Sequence, residues 1–189
     1  MKKINDENIK KSILAGILIG LGVIINLKME NHALGSLLFS FGLLTIIFMK
    51  LNLYTGKIGF IKTNEIPLLI VMLIFNFLGI TTTVCLYSMG NTDFINTLSE
   101  AAVAKFSKSI LVLFINACFC GALIHFAVKN KQTILTIFAI MIFILIGAEH
   151  CVADFPYFLF NISWLNLLKM ISIILGNSLG AILIERLSE

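Results

Sequence analysis

The sequence predicts an all-α membrane protein with six transmembrane helices, arranged as a 3+3 inverted repeat in which the second and fifth helices are broken. Hydrophobic residues make up 59% of the 189 residues and charged residues only 13%, which lies far outside the composition of soluble domains. Six apolar stretches follow one another, and polar sequences interrupt the second and the fifth. Three spans in each half give the halves opposite orientations, so the breaks occupy corresponding places.

The apolar stretches are the predicted helices, and most are long enough to cross a hydrocarbon core of roughly 30 Å. They lie at residues 9–27, 34–49 with a continuation to 61, 66–89, 106–128, 133–147 with a continuation to about 160, and 165–187. Little chain remains for a domain outside the membrane. We therefore predict a single transmembrane domain, with residues 12–90 as the first repeat and 91–189 as the second.

The amino-terminal residues 1–11 mix Lys with Asp, Glu and Asn around Ile4 and Ile9. This pattern is typical of an amphipathic helix on the cytoplasmic surface of a membrane, with a disordered tail as the alternative. A cytoplasmic amino terminus would place nine basic residues inside and four outside, with Lys50 unassigned within a span. By the positive-inside rule, we expect a multi-pass protein of the inner (plasma) membrane with both termini in the cytoplasm.

The net charge of +4 follows from this distribution of basic residues. Clusters of basic and aromatic side chains arranged for phosphate or base contacts are absent from the sequence, so we expect no nucleic-acid partner. The partners that remain are the lipid bilayer and whatever crosses it.

The two breaks form the candidate functional site. Lys50-Leu51-Asn52-Leu53-Tyr54-Thr55-Gly56-Lys57 interrupts the second stretch, and Gly147-Ala148-Glu149-His150-Cys151-Val152-Ala153-Asp154-Phe155-Pro156 follows the apolar run 134–146. Ionisable groups at membrane depth are costly and indicate function by default. A break also exposes backbone N–H and C=O groups, which only protein or a watery cavity can satisfy. Two facing breaks would outline a pore, and half-helix N-termini pointing into it would favour an anion.

Three segments resemble the marker sequences of the formate/nitrite transporter family. They are Leu53-Tyr54-Thr55-Gly56, Gly147 to Asp154 and Gly176-Asn177-Ser178-Leu179-Gly180-Ala181, which are similar to Leu-Phe-Thr-Gly, Gly-Phe-Glu-His-Ser-Val-Ala-Asn and Gly-Asn-Ile-Ile-Gly-Gly. Order, spacing and span number agree over nearly the whole chain. The resemblance implies a homopentamer with one pore per subunit that passes a small monovalent anion of a weak acid. Formate is the first choice, and nitrite, hydrosulfide, acetate and lactate are the others.

The resemblance also implies roles for three polar residues. His150 would be the central histidine, Thr55 would contact it from the other break, and Lys105 would lie near the outer mouth of the pore. A charged anion cannot cross apolar rings at the bilayer centre without a large desolvation cost. Lys105 would concentrate the anion, and His150, oriented by Thr55, could either donate a proton or only polarise the anion. Both options for His150 stay open, and no cofactor is expected.

Apolar residues would form the barriers. Phe39 and Leu43, sixteen and twelve residues before Thr55, match the family's cytoplasmic constriction. Phe143, seven residues before His150, matches the periplasmic constriction. Because Phe occurs 16 times in the chain, packing between helices or against lipid is the alternative for these positions.

Two further polar residues are predicted to support the structure. Glu149 would be a hydrogen-bond partner for the break or for a neighbouring subunit, in preference to a proton shuttle. Asn177 lies between Gly176 and Gly180, a spacing typical of close helix packing. His125 is predicted to be a core residue near the inner end of the fourth span.

The sequence departs from the family pattern at several places. Asn52 stands where an acidic residue is usual, Gly121 replaces an Asn of the fourth span, and Lys50 stands where a small residue is common. Asn52 and Gly121 would remove hydrogen-bonding groups from the region around the pore, which gives hydrosulfide weight as the substrate.

Two other function classes fit parts of the sequence. A membrane-embedded metalloenzyme could use His150 with Asp154, adding ligands from Cys118, Cys120 or His125. Hydrolytic zinc sites normally have three clustered protein ligands, however, and His125 is predicted near the opposite face, so we expect neither an enzyme nor a bound metal. A neutral-solute channel would share the aquaporin-like architecture, but it needs paired Asn-Pro-Ala caps, and Pro67 and Pro156 form neither.

Overall fold

The described residues, 4–189, are folded into helices without any β-strand. The computed structural model has nine α-helices in this range, joined by short turns and two 3₁₀ segments at Ile58–Phe60 and Thr63–Glu65. The α-helices are α1 (Asp6–Lys28), α2 (His32–Phe48), α3 (Tyr54–Lys57), α4 (Ile66–Ser88), α5 (Thr92–Phe106), α6 (Ile110–Asn130), α7 (Thr133–Leu145), α8 (Cys151–Leu159) and α9 (Trp164–Leu187).

Within the described residues, four helices are long and apolar enough to span a membrane, namely α1, α4, α6 and α9 with 21 to 24 residues each. At 1.5 Å per residue they measure about 32–36 Å, which matches the hydrocarbon thickness. The apolar helices α2 and α7 are shorter, with 17 and 13 residues. Each is followed by a non-helical stretch and then by a short helix, α3 or α8. The interruptions therefore lie where the sequence predicts them.

Glycines allow the long helices to pack in two close pairs. A Cβ at Gly16 of α1 would lie 2.1 Å from the carbonyl oxygen of Asn76 on α4, and a Cβ at Gly121 of α6 would lie 2.1 Å from that of Asn177 on α9. A Cβ at Gly180 would lie 2.0 Å from the carbonyl oxygen of Cys118. Because the backbones touch at these points, no larger side chain fits. Gly121 is thus a packing residue between two helices. The sequence-based expectation was different, namely that Gly121 marks a polar group lost from the region around the pore.

Contacts at the helix ends define two faces of the molecule. Asn8 near the start of α1 bonds to Asn52 after α2, and Lys129 at the end of α6 bonds to Ser188 after α9. We call this side, with residues 5, 62–65, 131–132 and 188, the terminus face. The other side, with residues 29–31, 89–91, 107–109 and 160–163, is called the opposite face.

Helix α5 was not predicted from the sequence, and it lies on the opposite face. Its buried residues Phe94, Leu98, Ala102 and Phe106 recur every four positions, so a single apolar stripe faces the protein. The predicted span at residues 106–128 consequently begins later, at Ile110, where the Ser109 hydroxyl accepts the N–H of Val112.

The amino-terminal segment expected at residues 1–11 is, from Asp6 onward, the first part of α1. Asn5 caps this helix by accepting the N–H of Asn8 at 2.9 Å, and Glu7 pairs with Lys11 at 2.6 Å, one turn apart. The prediction of a separate helix along the membrane surface is therefore wrong for residues 6–11. The cap at Asn5 and the Glu7–Lys11 ion pair support a helix that continues from Asp6 into the span. Residues 1–3 of the expected segment lie outside the described residues.

We predict that Gly121→Ala destabilises the protein, because the added methyl group would force α6 away from α9. Overpacking of this kind costs typically about 1–3 kcal/mol. Thermal unfolding in detergent would show a lower midpoint for Gly121→Ala. Gly90→Ala is the matched control, because a Cβ at Gly90 would meet nothing within 4 Å. Equal midpoints for the two variants would contradict the packing role.

Candidate functional site

A hydrogen bond between the two breaks lies at the centre of the molecule. Thr55 Oγ1 is 2.9 Å from His150 Nε2, and the two side chains are 0% and 1% exposed. The other ring nitrogen of His150, Nδ1, accepts the backbone N–H of Ala153 at 3.0 Å and thereby caps α8. Because Nδ1 accepts, the proton of the neutral ring lies on Nε2, which donates to Thr55. The structure thus brings together the two residues that were paired from the sequence.

Asn177 satisfies the backbone around the second break. Its Oδ1 accepts the N–H of Cys151, the first residue of α8, at 2.8 Å. Its Nδ2 donates to the carbonyl oxygens of Glu149 and Ala117, both at 2.8 Å. One amide therefore satisfies two backbone groups of the break that would otherwise be buried without partners, and its third hydrogen bond joins α9 to Ala117 of α6. Asn177 is one of the two residues for which the sequence predicts a supporting role.

Asn76 does the same for the first break, and it was not predicted from the sequence. Its Oδ1 accepts the N–H of Tyr54, the first residue of α3, at 2.9 Å. Its Nδ2 donates to the carbonyl oxygens of Asn52 at 2.9 Å and Ser12 at 2.8 Å. The signal in the sequence was a lone amide inside the apolar stretch 66–89, because a polar side chain at that depth needs a structural or functional reason.

Charged residues gather beside the second break, towards the opposite face. Lys105 of α5 contacts both Glu149 and Asp154, with 2.8 Å from its Nζ to Asp154 Oδ1. Lys108 approaches Glu149 from the other side, with 2.7 Å from Nζ to Oε1. The Lys105 ammonium also lies 5.1 Å from the centre of the Tyr157 ring. Glu149 is thus an ion-pair partner within one subunit, and Lys105 is already paired with two carboxylates.

Two cavities approach the central hydrogen bond from different sides and share no lining residue. The opposite-face cavity, about 140 Å³, is lined by His150, Lys105, Asp154 and the two phenylalanines Phe39 and Phe143, among others. The terminus-face cavity, about 290 Å³, has a lining that includes Leu43, Leu53, Lys50, Lys57 and Lys131.

The structure groups the three predicted barrier residues differently from the sequence-based expectation. The Phe39 ring meets the Phe143 ring edge to face, with centroids 6.0 Å apart, and both line the opposite-face cavity. Leu43 lines the terminus-face cavity. Placing Phe39 with Leu43 in one constriction was therefore wrong. The two residues lie on the same face of α2, but they are about 6 Å apart along the helix axis. This separation places Phe39 at one cavity and Leu43 at the other.

Other sequence candidates lie outside the lining of these cavities. Asn52 faces Asn8, with 3.0 Å between Nδ2 and Oδ1. His125 is buried near the terminus face, where its Nε2 lies 2.7 Å from Glu185 Oε2 and its ring packs on Phe60. His125 is thus a buried residue bound through Nε2, while its Nδ1 has no hydrogen-bond partner among the described residues. No group of three or more His, Cys, Asp or Glu side chains in the described part of the chain could hold a metal ion.

We predict that Asn76→Ala lowers stability more than an ordinary polar truncation, because it leaves the Tyr54 N–H and the Asn52 carbonyl oxygen buried without partners and also removes the bond to Ser12 of α1. Each unsatisfied group costs about 1–3 kcal/mol. The measurement is thermal unfolding in detergent. Asn130→Ala serves as control, since the Asn130 side chain is exposed and bonds to the carbonyl oxygen of Phe126 in its own helix. A similar, small shift for both variants would argue against the role of Asn76.

Known proteins similar to this chain were found by sequence family and by structure. The sequence model described as "Formate/nitrite transporter" matches residues 2–187. Among solved structures, an "FNT family ion channel" is 21% identical, with a TM-score of 0.78 over 95% of this chain and 87% of that chain. A "Pentameric formate channel with formate bound" is 16% identical, with a TM-score of 0.71 over 96% of this chain and 92% of that chain. No curated protein matches the sequence.

Proposed function

Because the chain belongs to the formate/nitrite transporter family, we propose that it passes a small monovalent anion of a weak acid, with formate as the first choice, through a pore within each subunit. It is a membrane transport protein and not an enzyme. The observation that carries the proposal is the Thr55–His150 hydrogen bond, which joins the two breaks between two separate cavities. An anion moving from one cavity to the other would have to pass this bond.

The proposed pore lies between inverted halves, residues 12–90 and 91–189. Support comes from the one-to-one correspondence of their contacts. Asn76 accepts the N–H of the first residue of α3 and donates to a carbonyl oxygen two residues earlier. Asn177 makes the same two hydrogen bonds with the first residue of α8 and the residue two positions before it. The α1–α4 contact through Gly16 corresponds to the α6–α9 contact through Gly121. In this arrangement α2 with α3, and α7 with α8, are the broken second and fifth of six spans.

The proposed mechanism uses His150 as the donor at the midpoint. Its Nε2 proton is bound to Thr55, and an anion in the pore would take over that hydrogen bond. The neutral ring holds only this proton, so it can polarise the anion through the hydrogen bond, and a second proton from water would have to reach the ring before the anion could be protonated. Protonation of the anion would remove most of the cost of crossing an apolar barrier. Leu43 would form the barrier towards the terminus face, and Phe39 with Phe143 the barrier towards the opposite face. Lys105 would attract the anion from that face.

We propose a homopentamer in the inner (plasma) membrane, with both termini in the cytoplasm. One of the similar solved structures is a pentameric formate channel. Large apolar side chains are exposed along several helices of the single subunit, including Phe41, Phe48 and Phe138, and neighbouring subunits and lipid would cover such surfaces. The cytoplasmic placement of the termini rests on the excess of lysine and arginine on the terminus face.

Formate keeps its place ahead of nitrite, hydrosulfide, acetate and lactate. The weight given to hydrosulfide came from polar groups missing at Asn52 and Gly121. Gly121 lines neither the terminus-face nor the opposite-face cavity, and Asn52 lines a separate cavity beside Asn8 and Lys57, so the proposal does not use that reason.

We predict that His150→Phe removes the pH dependence of the maximal flux at saturating formate, because the titrating group of the barrier is gone. Thr55→Val removes one orienting hydrogen bond of about 0.5–1.5 kcal/mol, so the maximal flux should fall by roughly two- to tenfold while its pH dependence stays. Stopped-flow measurement on proteoliposomes, with assembly checked by size-exclusion chromatography, tests both variants. An assembled His150→Phe protein with unchanged pH dependence would refute the role of the histidine.

We predict that Leu43→Ala and Phe143→Ala widen the barriers, so that lactate enters or formate flux rises. Leu98→Ala is the control, since Leu98 is buried in α5 and lines neither cavity. It should cost about 2–5 kcal/mol of stability and leave selectivity unchanged. Thermal stability and the lactate-to-formate flux ratio are measured on the same preparations. If the two barrier variants behave like Leu98→Ala, the residues are core and the barrier assignment fails.

A further inference from the structure

The charged cluster beside the second break has no net charge in this chain. Lys105 and Lys108 carry two positive charges, and Glu149 and Asp154 carry two negative charges when ionised. The contacts form a chain, in which Lys108 meets Glu149, Glu149 meets Lys105, and Lys105 meets Asp154. Without the charge of Asp154 the cluster would keep an excess positive charge for an anion, and Asp154 cancels it.

Asp154 differs from Glu149 in two ways that matter for an incoming anion. It lines the opposite-face cavity together with His150 and Lys105, whereas Glu149 is fully buried and is held by lysines from two sides. Asp154 has a single lysine partner, bound through Oδ1. Its Oδ2 is buried without a hydrogen-bond partner among the described residues, although the residue is only 3% exposed. A buried carboxylate oxygen without a donor is costly.

We propose that the opposite-face cavity takes up the anion together with one proton, and that Asp154 is the group that receives this proton. This inference rests on the proposed function. An anion that entered the neutral cluster would create a net negative charge in a poorly solvated site. A proton from the water of the opposite face, added to the Asp154 carboxylate, restores neutrality.

The exchange needs few changes. Lys105 Nζ gives up its contact with Asp154 Oδ1 and donates to the anion instead. The protonated Asp154 becomes a neutral carboxylic acid, and no bond within the anion forms or breaks. The cavity then holds the same total charge before and after binding. Asp154 is in this sense a specificity-determining residue, because it makes binding depend on the proton concentration of one side.

The groups around Asp154 favour it as the proton acceptor over its neighbours. The titratable groups that line its cavity or interact with it are Lys105, Lys108, Glu149, His150, Tyr157, Cys151 and Cys120. Among the helices packed against α8, α9 contributes Lys169. Lys169 donates to the carbonyl oxygen of Phe106 at 2.5 Å, and α4 carries no charged side chain. His150 could accept a proton at Nδ1 only by breaking the hydrogen bond that caps α8. Glu149 could accept a proton only by losing its contact with one of two lysines, whereas Asp154 Oδ2 has no partner to lose.

The test is the pH dependence of the apparent KM for formate, measured as flux into proteoliposomes from the opposite face. One linked proton makes the KM of the wild-type protein rise tenfold per pH unit in the alkaline range where Asp154 is ionised. In Asp154→Asn this slope should be lost and the alkaline KM should fall, while the pH dependence of the maximal flux, assigned to His150, stays. Asp154→Glu should keep the slope.

Two controls make the outcome decisive. Asp93→Asn removes an exposed carboxylate from α5 on the same face, so it changes the surface charge equally and should keep the wild-type slope. Proton uptake is measured separately with a pH indicator in weakly buffered detergent solution. We expect one proton per formate bound for the wild-type protein and none for Asp154→Asn, with Asp154→Ser used if the first variant does not assemble.

The results separate this inference from the proposed function. A wild-type protein without proton uptake on binding formate overturns the inference. A slope that survives in Asp154→Asn also overturns it, since the proton would then travel on formate itself. An absence of formate flux through the wild-type protein counts against the proposed function, and the proton uptake on binding would still decide the inference.

Discussion

The structure depends on satisfying the backbone groups that two helix breaks expose inside an apolar protein. Lipid offers no hydrogen bonds, so each N–H and C=O freed at a break must find a partner within the chain. Asn76 and Asn177 supply such partners by equivalent hydrogen bonds, with two bonds from each amide to its break and a third to a carbonyl oxygen of a neighbouring helix. The glycine contacts between helix pairs bring α4 and α9 close enough for this to happen. With the breaks held in this way, Thr55 and His150 face each other across the centre of the molecule.

Electrostatics makes the two sides of the molecule unequal. The terminus-face cavity is lined by Lys50, Lys57 and Lys131, and no carboxylate is among its described lining residues. On the opposite face, the lysine expected to attract an anion is already held by Glu149 and Asp154. Unequal mouths imply that the anion concentration and the proton concentration act on the two sides in different ways. Under the two proposals made above, pH would act on one side through anion binding at Asp154 and at the centre through His150.

Much of the fold and part of the site were predictable from the sequence. The long apolar stretches indicated the spanning helices, because length and hydropathy decide what crosses a bilayer. The polar interruptions located the breaks, and the resemblance paired His150 with Thr55. Helix α5 was missed because its apolar residues form a stripe and not a run. Asn76 was missed because its role depends on the packing of α4 against α3, which the sequence does not show. The assignment of Phe39 and Leu43 to different cavities likewise depends on the positions of the two cavities in the folded chain.

The central claim is that a small weak-acid anion passes through the subunit between the two breaks. The most direct measurement is the flux of formate, nitrite, hydrosulfide, acetate and lactate into proteoliposomes holding the wild-type protein, beside sulfate and glycerol as excluded solutes. We expect protein-dependent flux of small monovalent anions, fastest for formate, with none for sulfate or glycerol. Glycerol permeation without anion flux would contradict the claim.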